Sequence, residues 1–240
     1  MVQQLTPQTT SEIIYPDSDG QPMSDNTKQF RWIVTIKENL ELLFAAVANV
    51  FVAGDLLWYP VEGNNLIRQG PDVMVAFGRP KGDRGSYKQW EEGNIAPQVV
   101  FEILSPGNRM GKMRDKFRFY RDHGVEEYYV YNPDDGELMG WLRRDDSDSL
   151  DIISPINYWV SPRLEICFEV KHGEDMVIYR PDGERFLTFG ELAQRAETER
   201  QRAEEAVEQA ETERQRADDA IAQLEALKAQ LRERGIDLES

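Results

Sequence analysis

Two carboxylates stand inside short apolar segments of this 240-residue sequence. Asp72 belongs to segment 70–77 and Glu102 to segment 97–105, both rich in β-branched and aromatic residues and bounded by Gly or Pro, as buried strands typically are. Burying a lone carboxylate costs free energy unless it meets a cation, a proton or a hydrogen-bond donor. Because paired strands lie about 4.8 Å apart, we expect neighbouring strands to bring Asp72 and Glu102 to one cation.

The sequence lacks the residue patterns that several other catalytic mechanisms require. There is no Gly-x-Ser-x-Gly nucleophile motif and no phosphate-binding Gly-x-x-x-x-Gly-Lys-Ser/Thr loop. The two histidines, His123 and His172, fall at a predicted helix end and in a predicted turn, and Cys167 is the single cysteine. Carboxylates and lysines therefore remain as the candidates for chemistry.

The surrounding pattern predicts an α/β or α+β domain built on one mixed sheet. A first helix is expected to begin at one of residues 24–26, any of which could cap it, and to run to Val47. A second helix is expected from Arg109 to His123, ended by Gly124. Strands are expected at 50–60, with a bulge at Gly54, and at 70–77, 97–105, 127–132, 138–143, 150–154, 163–170, 176–180 and 185–189.

Composition divides the chain into three parts. Residues 1–24 are polar and aperiodic and predict a flexible arm, and residues 25–190 form the domain. Residues 191–240 are rich in Ala, Glu, Arg and Gln, and Ala196–Ala203 recurs as Ala210–Ala217, which predicts a long helix. Its apolar seam is thin, so the first half fits a solvated helix as well as a coiled coil. The seam consists of Ala196, Ala203, Val207, Ala210, Ala217, Ile221, Leu224 and Leu231. The Ile221–Leu231 part is the better candidate for homo-oligomer formation.

The formal net charge of −16 counts against a protein that binds polyanions over its whole surface. Residues 191–240 hold 8 basic and 14 acidic residues, which leaves −10 on the rest of the chain. A nucleic-acid site would need a local basic patch. No stretch is long and apolar enough to span a bilayer, and no basic and apolar leader stands at the N-terminus, so we expect a cytoplasmic protein without a membrane partner.

Several motifs together resemble a known family. They are Pro71–Asp72, Glu102–Pro106, Lys116–Tyr120 and Gly124–Tyr129. In order and spacing they are similar to the restriction-endonuclease-like domains abundant in cyanobacteria, a branch of the PD-(D/E)XK nuclease superfamily, over residues 27–168. The resemblance implies a restriction-endonuclease-like core with a central mixed sheet flanked by helices. It also implies Mg²⁺ or Mn²⁺ held by Asp72 and Glu102, with nucleic acid, DNA in the first place, as the substrate.

The sequence departs from the superfamily pattern at Leu104, where a lysine is expected two residues after the second acid. The resemblance suggests that Lys116 of the next helix replaces it. Lys112, Lys116 and Tyr120 are four residues apart and share one helix side, although both lysines could also be ordinary solvated residues. An upstream acid usually completes the superfamily site. Asp55 and Glu41 are the candidates for this third metal ligand, and Asp55 is preferred because it lies in a predicted strand.

Three further features admit two interpretations each. Ser105 either binds a phosphate or caps the second helix, and capping is preferred. Tyr87 and Trp90, in the long loop 78–93, either stack on bases or anchor the loop. The following basic residues either form a patch beside the site or are simply solvated: Arg79, Lys81, Arg84, Lys88, Arg109, Lys112 and Arg114.

Two functions of different classes follow. The first is a Mg²⁺-dependent endonuclease that uses Asp72, Glu102 and Lys116. The second is a nuclease fold that has lost catalysis and acts as a binding or scaffolding module through its C-terminal helix. The three polar residues favour the first function, whereas Leu104 and the negative net charge favour the second.

Overall fold

The fold is that of a computed structural model, which describes residues 13–20, 22, 24–105, 110–144 and 148–234. The helices are α1 (Thr27–Leu43), α2 (Met110–Asp122) and α3 (Phe189–Glu233), with a short 3-10 helix at Gln89–Glu92. The strands are β1 (Val50–Gly54), β2 (Trp58–Tyr59), β3 (Val73–Phe77), β4 (Tyr87–Lys88), β5 (Val99–Ile103), β6 (Glu127–Asn132), β7 (Glu137–Leu142), β8 (Asp151–Ile152), β9 (Trp159–Val160), β10 (Cys167–Glu169) and β11 (Val177–Tyr179).

A six-stranded mixed sheet in the order β1-β3-β5-β6-β7-β8 forms the centre of the domain. Strands β5 and β6 are parallel, and the other neighbouring pairs in this sheet are antiparallel. A parallel pair needs a crossover connection, which α2 supplies between β5 and β6. The predicted mixed sheet with flanking helices is thus confirmed. Two smaller sheets, β9-β10-β11 and β2-β4, accompany it.

Helix α1 covers one face of the central sheet. Asn26 caps it, since the Asn26 side chain accepts a hydrogen bond from the backbone N–H of Gln29 at 2.8 Å. Its buried Trp32, Ile33, Ile36 and Leu40 belong to one hydrophobic cluster with β3, β5 and the three-stranded sheet. The helix ends at Leu43, four residues before the predicted Val47, because Phe44 leaves helical geometry and packs edge-on against Phe77.

Helix α2 covers the opposite face. Tyr120 is fully buried there, in a second cluster with Val100, Tyr128 and Val130. Gly124 follows the helix at φ +90°, and the N–H of Val125 donates to the Tyr120 carbonyl at 3.1 Å, as expected where a glycine ends a helix. The predicted helix is confirmed, although it ends at Asp122, one residue before the predicted His123, and Arg109 lies outside the described residues.

The predicted strand 50–60 is wrong as a single element. It breaks after Gly54 because Asp55 adopts φ +49° and turns the chain, so that β2 pairs with β4 instead of continuing β1. The predicted strand 185–189 is also wrong. It is reduced to one bridge between Tyr179 and Arg185, and α3 begins four residues later at Phe189.

The chain divides into two compact units, residues 1–189 and 190–240. Helix α3, 45 residues long, accounts for the second unit, and none of its side chains is buried. Within the part of the chain that the structure describes, no helix combines the length and the apolar character that crossing a membrane requires.

Candidate active site

Asp72 and Glu102 lie on the same face of the central sheet. Asp72 directly precedes β3, and Val73 pairs with Phe101 of β5, so residues 72 and 102 come next to each other in the register. Side chains alternate along a strand, which places Asp72 with Met74 and Glu102 with Val100, all on the α2 face. Both carboxylates are buried, with 8% and 2% of their surface exposed. The predicted burial of the pair is confirmed.

Asp72 is held by the backbone of two neighbouring segments. Its Oδ2 accepts a hydrogen bond from the N–H of Ile103 at 2.6 Å, and its carbonyl accepts from the N–H of Asp55 at 3.2 Å. Burial, and then the negative charge of Glu102, raise the pKa of the Asp72 carboxyl to about 8, against the opposing effect of Lys116. The Asp72 carboxyl therefore keeps its proton near neutral pH.

Two side chains of α2 bind the Glu102 carboxylate. The Lys116 ammonium lies 2.6 Å from Oε2, and the Tyr120 hydroxyl donates to Oε1 at 2.5 Å. Burial alone would lower the pKa of Lys116, but the charges of Glu102 and Asp72 outweigh it and raise that pKa. Lys116 is thus a fixed cation at the site, with 22% of its side chain exposed.

A cavity of about 550 Å³ opens beside Asp72 and Lys116, and neither Glu102 nor Tyr120 lines it. Asp55, Asp72 and Lys116 line it, whereas Glu41 lies in α1 and forms an ion pair with Lys37 at 3.0 Å. Burial is the first cause, and the Asp19 carboxylate the second, of the raised pKa of Asp55. Of the two acids considered as a third ligand, the cavity therefore contains Asp55.

The donor set suits a hard divalent cation, since carboxylate oxygens are the ligands that Mg²⁺ and Mn²⁺ prefer. Within the described ranges, however, no three His, Cys, Asp or Glu side chains are grouped closely enough to hold a metal ion. Asp55 therefore does not complete a preformed three-carboxylate centre. Asp72 and Glu102 would be the protein ligands, and Lys116 would compete with the cation for Oε2 of Glu102.

The residues around the site clarify three predictions. Leu104 packs among the apolar side chains beside α2, and it does not line the candidate cavity. Lys112 is exposed at the cavity rim, as a solvated residue would be. The Ser105 hydroxyl forms a very short hydrogen bond with the Asp25 carboxylate. Residues 106–109, where Ser105 would cap the helix, lie outside the described residues.

Two basic residues of the loop between β3 and β5 form ion pairs within that loop. The carboxylate of Glu92 accepts from Arg79 at 3.0 Å and from Arg84 at 2.6 Å, and Arg84 also lies over the Phe51 ring. Tyr87 is fully buried, and its hydroxyl donates to the Ile95 carbonyl at 2.8 Å. For Tyr87 the anchoring interpretation is confirmed, and two arginines of the predicted patch stabilise the loop.

Sequence reasoning missed the roles of Tyr120, Gln29 and Asp25. The Tyr120 hydroxyl binds Glu102, and its spacing of four from Lys116 is the sequence signal that both side chains reach the same target. Gln29 and Asp25 also line the cavity, and the Gln29 side-chain amide donates to the Ile103 carbonyl at 2.8 Å. This bond ties α1 to the strand that carries Glu102.

Comparison with known proteins identifies the family. Residues 10–162 match the model of Uma2, described as "Putative restriction endonuclease". The chain belongs to the Uma2 family. Among solved structures, this Uma2 chain is similar to a crystal structure from Anabaena variabilis ATCC 29413, described as "a putative nuclease belonging to DUF820". The identity is 14% and the TM-score 0.44, over 58% of this chain and 75% of that chain. No curated protein matches the chain significantly.

Proposed function

We propose that this Uma2 chain is a metal-dependent endonuclease that hydrolyses phosphodiester bonds of DNA. One observation carries the proposal: Asp72 and Lys116 line one cavity, and the Lys116 ammonium there lies 2.6 Å from the carboxylate of the buried Glu102, the register neighbour of Asp72. One lysine stands beside two buried acids, so Asp72 keeps its proton near neutral pH, and a divalent cation bound there would take the place of that proton. Family membership supports a nuclease. We infer the metal and the DNA substrate from the chemistry of the site.

The side chains of the site take distinct roles in this proposal. Asp72 and Glu102 would hold Mg²⁺ or Mn²⁺, which polarises a phosphate and lowers the pKa of an attacking water when bound. The backbone N–H of Ile103 orients Asp72, and Tyr120 orients Glu102. Lys116 supplies a fixed positive charge at the cavity wall, close to the carboxylates, where the developing charge on a phosphate needs compensation.

Cleavage by the full chain tests this function. Supercoiled plasmid and single- and double-stranded DNA and RNA are incubated with Mg²⁺, with Mn²⁺ or with EDTA. We expect DNA cleavage with either metal, none in EDTA, and loss of cleavage in Asp72→Asn and Lys116→Ala. Asp151→Asn and Lys171→Ala are matched controls outside the cavity and should cleave as the wild type does.

Each remaining outcome of the assay has a defined meaning. Absence of cleavage on every substrate, or equal cleavage in EDTA, overturns the enzymatic proposal. Cleavage of RNA alone overturns the choice of DNA. Cleavage that survives in Lys116→Ala but not in Asp72→Asn rejects only the role of Lys116.

A specific pair of observations favours a second function, that of a scaffold. Both oxygens of Glu102 are already engaged by Lys116 and Tyr120, as in a carboxylate kept for structure. Helix α3 also exposes more than half of the Ile221 and Leu224 side chains along its seam. We propose that this seam associates copies of the chain, whether or not the domain is catalytic.

A further inference from the structure

The described part of the N-terminal arm lies against the domain and over the candidate site. Residues 13–20, which we call the N-terminal strap, contribute Asp17, Ser18 and Asp19 to the wall of the cavity that also contains Asp72 and Lys116. The polar composition of this arm predicts a flexible segment. The contacts of the strap show instead that it packs on the loops around the site.

Hydrogen bonds hold the strap at three points. The Tyr59 hydroxyl donates to the Pro16 carbonyl at 2.6 Å, and the Asn65 side-chain amide donates to the Ile14 carbonyl at 2.7 Å. The Tyr15 hydroxyl accepts from the backbone N–H of Gly63 at 2.6 Å. Two of these bonds use carbonyl groups of the strap backbone, so the path of the strap is fixed as well as its side chains.

Aromatic and close backbone contacts reinforce this position. The Tyr15 ring packs against Tyr59 and Trp90, with centroids 5.2 Å and 5.0 Å apart. A Cβ added at Gly85 would lie only 2.5 Å from the Asp17 carboxylate, so the strap fits closely against the β3–β5 loop. Trp90, one of the candidates for base stacking, is thereby covered by the strap.

The charge of the strap opposes a polyanionic substrate. Asp17 and Asp19 stand at a cavity that already holds the carboxylates of Asp55 and Asp72, and the nearby cations are Lys112 and Lys116. The Asp19 carboxylate lines the same cavity as Asp55, so its charge adds to that side of the site. Bringing like charges together costs free energy, and each phosphate of an entering nucleic-acid strand adds one more negative charge to the cavity.

We propose that the N-terminal strap is an autoinhibitory segment, which occludes the candidate active site and repels phosphates until it is displaced. This inference rests on the proposed nuclease function and adds its regulation. Nucleic acid, or a partner that binds the strap, would have to separate Tyr15 from Tyr59 and Trp90 before a phosphate reaches Asp72 and Glu102. Two of the three hydrogen bonds of the strap are exposed to solvent, which suits such a reversible release.

Two variants of the full chain release the strap by different means. Tyr15→Ala removes the aromatic anchor and the acceptor for Gly63, whereas the double variant Asp17→Asn/Asp19→Asn removes only charge. The matched control is Glu165→Gln/Glu174→Gln, which makes the same change in net charge at exposed turns flanking β10. Binding of a fluorescein-labelled DNA duplex by anisotropy, and its cleavage in Mg²⁺ and Mn²⁺, are measured for all four proteins.

We expect both release variants to bind DNA about tenfold more tightly and to cleave it faster. The reason is that loss of the repulsion between the strap and the phosphates lowers the Kd for DNA. The control should match the wild type. If the wild type cleaves and neither release variant differs from it, the autoinhibitory strap is rejected and the nuclease function stands. If none of the four proteins binds or cleaves DNA, the nuclease function fails and the inference fails with it.

Discussion

The Lys116 ammonium lies 2.6 Å from Oε2 of Glu102, across the gap between α2 and β5. This contact places the positive charge of the site on a helix, 14 positions after the acid that it neutralises, instead of two positions after it on the same strand. Leu104, which stands at that second position, packs into the apolar cluster beside α2. A lysine from the helix can thus supply charge that the strand itself lacks.

Replacing Lys116 by methionine is expected to destabilise the protein and to tighten metal binding. The change leaves the buried Glu102 carboxylate without its ion pair, which costs about 3 kcal/mol in the absence of metal. It also removes the cation that competes for Oε2, so Mn²⁺ should bind more tightly. Urea denaturation in EDTA and calorimetry with Mn²⁺ measure the two effects.

Lys112→Met is the matched control for that variant, because Lys112 is exposed on the same helix. Its free energy of unfolding should change by no more than about 0.5 kcal/mol. Equal stability of both variants in EDTA would show that the Lys116–Glu102 contact contributes nothing to the fold.

The pKa of about 8 for Asp72 predicts a loss of stability as pH rises. The unfolded chain releases this proton near the ordinary pKa of 3.8, so between pH 4 and 8 the folded chain binds more protons. The free energy of unfolding therefore falls with increasing pH in this window, by about 1.4 kcal/mol per pKa unit that separates the two states.

Asp72→Asn removes this ionisation while keeping an oxygen that can accept from Ile103. As pH rises from 5 to 9, the wild type should lose stability and the variant should not. The difference in their free energies of unfolding should therefore grow by several kcal/mol in favour of the variant, because one pKa unit corresponds to about 1.4 kcal/mol. Urea denaturation in EDTA at both pH values measures the gain. A difference between variant and wild type that does not change with pH contradicts the raised pKa.

Two neighbouring tyrosines provide a matched pair for testing the support of Glu102. Tyr120 and Tyr128 are both buried, with ring centroids 5.0 Å apart, but only the Tyr120 hydroxyl binds Glu102. Among the described residues the buried Tyr128 hydroxyl has no hydrogen-bond partner. Tyr120→Phe should therefore cost about 2 kcal/mol, whereas Tyr128→Phe should be neutral or slightly stabilising. Chemical denaturation measures the free energy of unfolding of both variants. An equal loss of stability in the two would argue against a role for the Tyr120 hydroxyl.

The exposed seam of α3 predicts association through its C-terminal half. Ile221→Asp/Leu224→Asp should reduce the association constant of the full chain by at least tenfold, because charges at two core positions disrupt a coiled coil. Ala222→Asp/Ala226→Asp adds the same charge off the seam and should associate as the wild type does. Sedimentation equilibrium measures both. A monomeric wild type at every concentration would contradict self-association.

The convergence of Asp72 and Glu102 could be predicted from sequence because local rules determine it. Each acid sits in a short apolar segment, strands alternate their side chains, and neighbouring strands pair at a fixed spacing. The capping residue of α1 and the glycine that ends α2 follow from equally local chemistry. These signals all lie within a few residues of the position that they determine.

The rest of the site depends on contacts between distant residues. The turn at Asp55 leads to pairing between β2 and β4, which are far apart in sequence. The Glu92 carboxylate neutralises arginines of the loop that lie several residues before it. The docking of the strap requires Tyr15 to meet Tyr59, which lies 44 residues further along the chain. Composition classed the arm as flexible because a polar segment has few apolar side chains of its own to bury, and partners elsewhere in the fold supply the missing contacts.

Binding of Mn²⁺ to the full chain, followed by calorimetry, tests most directly whether Asp72 and Glu102 form one divalent-cation site. The account predicts a single site in the wild type, at least tenfold weaker binding in Asp72→Asn and in Glu102→Gln, and unchanged binding in the control Asp151→Asn. No binding by the wild type, or binding that neither substitution weakens, would contradict it.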